Sequence, residues 1–162
     1  MSPHHLNIIQ AIETAMEAEQ KASAFYRDAA EKVVSERGKD LLGQLAEFER
    51  NHYRKLGELK SSLAKEKGYV KYEGTHLEPY RAASEVSGEI EDREELTGIL
   101  NLAIKAETEA SERYRRLAEE TEDSLGKAMF GRFADEELNH RRILSDEYYQ
   151  MQNRGGIWFW GD

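Results

Sequence analysis

Two stretches of this chain recur further along it, both displaced by 88 positions and neither with a gap. Residues 15–31 match residues 103–119, and residues 38–56 match residues 126–144. Ala and Glu are frequent in the chain and produce some matches by chance, but a shared ungapped offset is not easily a chance result. The repeat therefore predicts a fold built from two similar halves.

Each half contains two long stretches in which apolar residues recur three or four positions apart, the spacing that places them on one face of an α-helix. Gly38 and Gly126 lie between the two stretches of each half, and we predict that each glycine ends the helix before it through a short turn. The four predicted helices cover about residues 7–36, 39–66, 93–122 and 125–153.

Residues 67–92 connect the two halves and lack a long apolar stripe. An extended connector of this length reaches roughly 85 Å, enough to run the length of a helical bundle. Two short turns and one long crossover define the ferritin-like form of the four-helix bundle. We therefore predict an all-α fold in a single domain over residues 1–162, with the short tail at 154–162 packed back onto the bundle.

The composition limits the chemistry that this chain can perform. It has no cysteine, which excludes disulfides, thiolate zinc sites, iron–sulfur centres and cysteine nucleophiles. Its net charge of −9 disfavours binding to nucleic acid. No apolar run reaches the ~18 residues of a membrane span, and the N-terminus lacks the basic and apolar regions of a secretory signal. We expect a cytoplasmic protein with neither a membrane nor a nucleic-acid partner.

Six ionisable residues interrupt the apolar stripes near the midpoints of the predicted helices. They are Glu19, Glu49, His52, Glu107, Glu137 and His140. Because the midpoints of equally long bundle helices share one level, these side chains should converge in the bundle centre. Four buried carboxylates without compensation would repel one another at a high cost in free energy. Two divalent cations would balance them, and an oxygen-rich site with one His per metal suits iron or manganese better than zinc.

The spacing of three in Glu49–His52 and Glu137–His140 places both side chains of each motif on one helix face, although one such motif alone is a weak signal. A third match, Glu73–His76, lies in the connector and has no counterpart in the repeat, so we interpret it as chance. The repeat pairs the other two motifs with each other. The alternatives for the six-residue set are a charged surface face misread as a core stripe and a vestigial site.

The six-residue set resembles the ligands of ferritin-like di-iron carboxylate proteins, and most of all those of the rubrerythrin branch, over about residues 7–153. The resemblance implies that Glu49 and Glu137 bridge or chelate the irons. It further implies one terminal carboxylate and one imidazole for each iron, supplied by Glu19, Glu107, His52 and His140. In rubrerythrin-like proteins, tyrosines two turns beyond the terminal carboxylates hydrogen-bond to them. This makes Tyr26 and Tyr114 candidate catalytic residues, with plain core tyrosines as the alternative.

The chain departs from two-domain rubrerythrins in two respects. They carry a cysteine-rich rubredoxin module, which is missing here, so electrons must come from an external donor protein. They also tend to carry a further Glu one turn after the ligand of the third helix, where this chain has Ala110. A redox-linked exchange between that Glu and a His is therefore not expected. The long connector and the Gly-Gly tail disfavour a 24-subunit shell, and we expect a homodimer.

The resemblance implies an oxidoreductase that reduces peroxide or O₂ at two iron ions, with manganese or a mixed iron–manganese pair as variants and without haem. An iron-oxidising storage protein would use the same centre, and a helical scaffold with a vestigial site would use none, so both stand as alternatives. Glu136 lies next to the repeated Glu137, and we predict that its side chain faces outward.

Overall fold

The computed structural model describes residues 3–75 and 93–154, and their side chains over 7–75 and 93–152. This part of the chain forms four α-helices and no strand. The helices are α1 (Pro3–Lys32), α2 (Glu36–Ala64), α3 (Arg93–Glu120) and α4 (Ser124–Arg154). Helix α1 packs along α2 and α3 packs along α4, which confirms the all-α bundle of two helical hairpins. The tail beyond α4 lies outside the described residues, and the single-domain assignment stays a prediction.

The starts of α2 and α4 are set by capping side chains, not by the glycines. The Ser35 hydroxyl accepts a hydrogen bond from the Gly38 backbone N–H at 3.3 Å. Asp123, the repeat counterpart of Ser35, accepts from the N–H groups of Leu125 and Gly126 at 2.9 and 3.1 Å. These are the contacts of helix N-caps. The prediction that the two glycines end the preceding helices is therefore wrong, since both lie in the first turn of the next helix.

A lysine from the following helix caps the C-terminal end of α1, and an equivalent lysine caps that of α3. Lys39 donates from Nζ to the Ala30 carbonyl at 3.0 Å, and Lys127 donates to the Ala118 carbonyl at 3.1 Å. Each lysine thus supplies both a hydrogen bond and a positive charge to carbonyls that have no partner within the helix. Helix α1 begins at Pro3, earlier than predicted, and proline suits the first turn of a helix because its missing N–H is not needed there.

Two apolar clusters fill the bundle, one towards each end, and the polar residues lie between them. One cluster joins the second halves of α1 and α4 to the first halves of α2 and α3, and it includes Tyr26, Leu42, Leu45, Leu100 and Leu144. The other joins the opposite ends and includes Ile12, Leu56, Tyr114, Phe130 and Phe133. None of the described helices combines the length and apolar character that crossing a bilayer requires.

The described start of the crossover, residues 67–75, runs back along the bundle. Tyr69 packs against Gly126 so closely that a Cβ at this glycine would lie 2.7 Å from Tyr69 Cε1. Further along, the Thr75 hydroxyl accepts a hydrogen bond from Asn51 Nδ2 at 2.7 Å. The segment therefore passes from the start of α4 to the middle of α2, and it reaches the level of the polar residues.

Candidate metal centre

The six ionisable residues predicted to meet in the bundle centre do meet there. Each of these residues is at most 2% exposed, although each is a glutamate or a histidine. Side chains of this kind are almost never fully buried unless they are paired or bind a metal. The alternative of a charged surface face misread as a core stripe is therefore wrong.

Two overlapping groups of these side chains could each hold a metal ion, and in each group the donor atoms lie within 4.8 Å of one another. The first group is Glu19, Glu49, His52 and Glu137. The second group is Glu49, Glu107, Glu137 and His140. Because Glu49 and Glu137 belong to both groups, two cations bound here would share these two carboxylates.

Both histidines direct Nδ1 at the carboxylates. His52 Nδ1 lies 2.7 Å from Glu137 Oε1 and 3.3 Å from Glu19 Oε1. The equivalent residues at the repeat offset make the equivalent contacts: His140 Nδ1 lies 3.2 Å from Glu49 Oε1 and 3.5 Å from Glu107 Oε1. The approximate two-fold symmetry of the sequence is thus reproduced at the level of single atoms, with Nδ1 as the nitrogen available to a metal.

The two tyrosines link the halves of the molecule across the site. Tyr26 donates a hydrogen bond from its hydroxyl to Glu107 Oε1 at 2.6 Å, and Tyr114 donates one to Glu19 Oε1. Each tyrosine of one half therefore holds the carboxylate of the other half. The contact implied by the resemblance is confirmed, while a catalytic role for these residues stays a prediction.

The four carboxyl groups divide into two pairs by their pKa values. Burial and the neighbouring charge of Glu107 raise the pKa of Glu49 and of Glu137 well above the usual range. Burial alone would also raise the pKa of Glu19 and Glu107, but hydrogen bonds from the first pair, together with the nearby histidines and tyrosines, lower it instead. In the absence of a cation, the shared pair therefore carries protons, whereas the terminal pair is ionised.

The donor atoms fit a pair of hard divalent cations. Among the described residues, three buried carboxylate oxygens make no hydrogen bond of regular geometry: Glu19 Oε2, Glu107 Oε2 and Glu137 Oε1, the last of which has an ion-pair contact with His52 Nδ1. An oxygen left buried in this state costs free energy, whereas a metal ion would use its lone pairs. Carboxylate oxygens with one imidazole nitrogen for each metal are typical of iron and manganese sites. The residues present can therefore hold two such ions.

The two sides of the cluster differ in access. A cavity of about 340 Å³ lies between α1 and α3 and reaches all four carboxylates. Its walls are formed by the small or apolar side chains of Ala18, Ala22, Phe25, Leu102, Ala106 and Ala110, together with the charged Lys21, Glu109 and Arg113. On the opposite side, towards α2 and α4, the aromatic rings of Phe48 and Phe133 pack against the two histidines. Within the described part of the chain, the cleft therefore opens onto the carboxylates and not onto the histidines.

The prediction that Glu136 faces outward is wrong. Its side chain is 7% exposed, and Oε1 lies 3.5 Å from His52 Nε2. Its two oxygens accept hydrogen bonds from the Tyr72 hydroxyl at 2.5 and 2.9 Å. The offset of 88 pairs Glu136 with Phe48, which lies on the apolar stripe of α2, and this pairing was the signal for burial. Tyr72 had no such signal, because it belongs to the irregular connector.

The third Glu-x-x-His match does not join the site. Glu73 is exposed and pairs with Lys71 at 3.3 Å, away from the cluster. His76 lies outside the described residues.

Comparison with known proteins agrees with this geometry. The family model for rubrerythrin matches residues 2–60 and 98–156, one segment in each half. The chain is also similar to a solved structure, a hypothetical protein from Pyrococcus furiosus, with 30% sequence identity, coverage of 90% of both chains and a TM-score of 0.71. The comparison with curated protein sequences returned no match. Two matched segments spanning both helical hairpins cover most of the chain, and the chain therefore belongs to the rubrerythrin family.

Proposed function

We propose that this protein is an oxidoreductase that reduces peroxide or O₂ at a pair of iron ions held by the six residues of the bundle centre. Three observations support the proposal: the family, the buried carboxylate and histidine cluster, and the cleft between α1 and α3. The cleft carries the argument, because a purely structural metal pair would need no route for a small molecule to its carboxylates.

The bound metal pair would supply two electrons in one encounter, which is what the reduction of peroxide to water requires. Overall, H₂O₂ takes up two electrons and two protons and yields two molecules of water. The protein must therefore admit the oxidant, keep the ligands in place and provide protons. The external electron donor, which we propose to be a separate protein, would restore the two electrons after each turnover.

Tyr26 is suited to hold a proton at the point where the cleft meets the cluster. It lines the cleft, and its hydroxyl donates to Glu107. Burial and the charge of Glu107 raise its pKa well above 10, so the hydroxyl stays protonated at neutral pH. In our proposal Tyr26 donates its one hydroxyl proton to Glu107 and keeps that carboxylate in place, while its hydroxyl oxygen accepts a hydrogen bond from peroxide in the cleft. Tyr114 holds Glu19 from a position that does not line the cleft.

The oligomeric state, the cellular location and the native metal are also part of what we propose. We propose a homodimer in the cytoplasm, as expected from the sequence, with iron as the native metal and manganese or a mixed pair as variants. Iron storage uses the same ligands, so it is separated from this proposal by the amount of iron taken up and by the size of the assembly.

The test is rapid mixing of anaerobically iron-loaded protein with H₂O₂ or with O₂. We expect two irons per chain to be oxidised together and to turn over when a reductant is supplied. Ala110→Leu, which narrows the cleft, should slow the reaction with peroxide at unchanged metal content. Ala24→Leu, on the exposed face of α1, is the matched control and should not.

Two results would contradict the proposal. The first is uptake of many irons per chain into a large shell, which would favour storage. The second is an iron-loaded protein that is inert towards both oxidants, which would favour a helical scaffold.

A further inference from the structure

The two histidines of the centre differ in what lies behind them. Both present Nδ1 to the carboxylates, so Nε2 of each ring points away from the cluster. A neutral imidazole that binds a metal through Nδ1 carries its proton on Nε2. The group that receives this proton in a hydrogen bond fixes the orientation of the ring and increases the donor strength of Nδ1.

A carboxylate stands behind His52. Glu136 Oε1 lies 3.5 Å from His52 Nε2, and Glu136 is itself held by the Tyr72 hydroxyl at 2.5 and 2.9 Å. The ring of Phe133 stacks on His52 with 4.2 Å between centroids, and Tyr72 packs edge-on against Phe133 at 4.6 Å. The imidazole, the carboxylate and the phenol thus form one packed unit, with the crossover segment supplying its outermost member.

At His140, the repeat position that corresponds to Glu136 holds a phenyl ring. The residue 88 positions before Glu136 is Phe48, whose ring meets His140 at 87° with 4.2 Å between centroids. Neither histidine forms a regular hydrogen bond through Nε2 with a described residue, but among these residues a carboxylate oxygen lies within ion-pair distance of Nε2 at His52 and not at His140. The repeat that preserves all six residues of the cluster therefore replaces a carboxylate by an apolar ring in the layer behind it.

We propose that Glu136, held by Tyr72, is a positioning residue that makes the two metal positions inequivalent, so that the position at Glu19 and His52 binds a divalent cation more tightly and fills first. The inference rests on the proposed metal pair. Loss of an outer partner of a metal-bound histidine typically lowers affinity by about 10- to 100-fold. A difference of that order is expected between the two positions of the native protein.

The experiment is an anaerobic calorimetric titration of the metal-free full-length protein with Co²⁺, a probe that does not react with peroxide as Fe²⁺ does. Visible absorption at one and at two equivalents reports the coordination of each ion independently of activity. We expect two binding steps that differ by about 10- to 100-fold in affinity. Glu136→Gln should weaken the first step and bring the two steps together, and Tyr72→Phe should do so to a smaller extent.

The matched control is Asp135→Asn, which removes the same charge from an exposed neighbouring position of α4. It should leave both steps unchanged. Circular dichroism of each variant establishes that it is folded, and Tyr72→Phe alone decides the case if Glu136→Gln does not fold.

Two equal steps in the native protein would overturn the inference while leaving the proposed metal pair intact. A separation of steps that survives both Glu136→Gln and Tyr72→Phe would overturn it as well. A native protein that binds no Co²⁺, Mn²⁺ or Fe²⁺ would overturn the proposed function, and this inference with it.

Discussion

The two halves of the molecule agree wherever a side chain touches the cluster and differ directly behind it. The glutamates, histidines and tyrosines of the first half recur in the second with equivalent contacts. Even the turn is preserved, with Lys39 and Lys127 in the same role. Behind the histidines, however, Glu136 replaces Phe48. The cluster therefore constrains both halves alike, whereas the layer behind it differs between them.

The four carboxylates also divide into two pairs, each with one member from each half of the chain. Glu49 and Glu137 belong to both candidate metal groups, while Glu19 and Glu107 belong to one each. The pKa values follow the same division, raised in the shared pair and lowered in the terminal pair. The chemical role of a carboxylate is therefore set by its place in the cluster and not by the half of the chain that supplies it.

The largest expected effect is on the number of metal ions bound, which should differ between variants of the shared and of the terminal carboxylates. The double variant Glu49→Gln with Glu137→Gln removes a charged ligand from both metal positions and should hold no stable metal pair. Glu19→Gln should lose one metal of the two and keep the other, and Glu107→Gln should do the same for the opposite position. Metal analysis after anaerobic loading and desalting measures the stoichiometry.

Glu47→Gln, on the exposed face of α2, is the control and should retain two metals. If the double variant also retained two metals per chain, the assignment of Glu49 and Glu137 as shared ligands would be wrong.

The cluster could be predicted from the sequence because three signals coincide there. Glu19 and Glu107 lie on apolar stripes, at the helix midpoints and at the repeat offset, and buried charges at such places require partners. The helix ends could not be placed as well, because Ser35 and Asp123 act as caps and outweigh the nearby glycines. Glu136 is the instructive error: its place one residue from the repeated Glu137 predicts an outward side chain, although its own repeat position is that of the core residue Phe48.

Tyr72 could not have been found in the same way. It belongs to a connector with neither helical periodicity nor a counterpart among the described residues, and its position results from packing against Phe133 and Glu136. Local sequence patterns contain no information on such a contact, because the partners are about 60 residues apart in the chain and come together only in the folded bundle.

The next prediction concerns pH and tests the division between shared and terminal pairs. The sequence alone suggests that some of the four buried carboxyl groups hold protons without metal, and the raised pKa values of Glu49 and Glu137 identify these two. In the metal-free protein, Glu49 and Glu137 keep protons that the unfolded chain releases above about pH 4.5. Stability should therefore fall between pH 5 and pH 7, by up to about 1.4 kcal/mol per pH unit for each group.

The other titrating groups act outside most of this range. Glu19 and Glu107 are ionised in both states above pH 5, so their contribution is lost only as the pH falls through their lowered pKa values. The raised pKa of His52 adds stability below about pH 6.5 that is lost as the pH rises further. Metal binding releases the protons of the shared pair and therefore strengthens with pH.

Scanning calorimetry with and without Mn²⁺ should accordingly show a difference in melting temperature that widens from pH 5 to pH 7. The variant with Glu49→Gln and Glu137→Gln removes the groups responsible, so its metal-free stability should depend much less on pH. A difference that stays constant or narrows in the native protein would mean that the shared carboxyl groups are ionised without metal.

The smallest expected effect is the loss of stability on removing the hydroxyl group of either tyrosine. Tyr26→Phe and Tyr114→Phe each remove a hydrogen-bond donor from a buried ionised carboxylate, at an expected cost of about 1–3 kcal/mol in the free energy of unfolding of the metal-free protein. Because the repeat makes the two contacts equivalent, urea unfolding should give similar losses for both variants. Tyr53→Phe, on α2 and outside the cluster, is the control and should change stability little.

The rate of the reaction with peroxide should differ between the two variants, although their stabilities should be similar. Tyr26 lines the cleft and Tyr114 does not, so Tyr26→Phe should slow the reaction more than Tyr114→Phe at equal metal content. Equal slowing would mean that both tyrosines act only by holding their carboxylates. Slowing by Tyr114→Phe alone would contradict access through the cleft between α1 and α3, because the tyrosine remote from the cleft would then be the one that meets the oxidant.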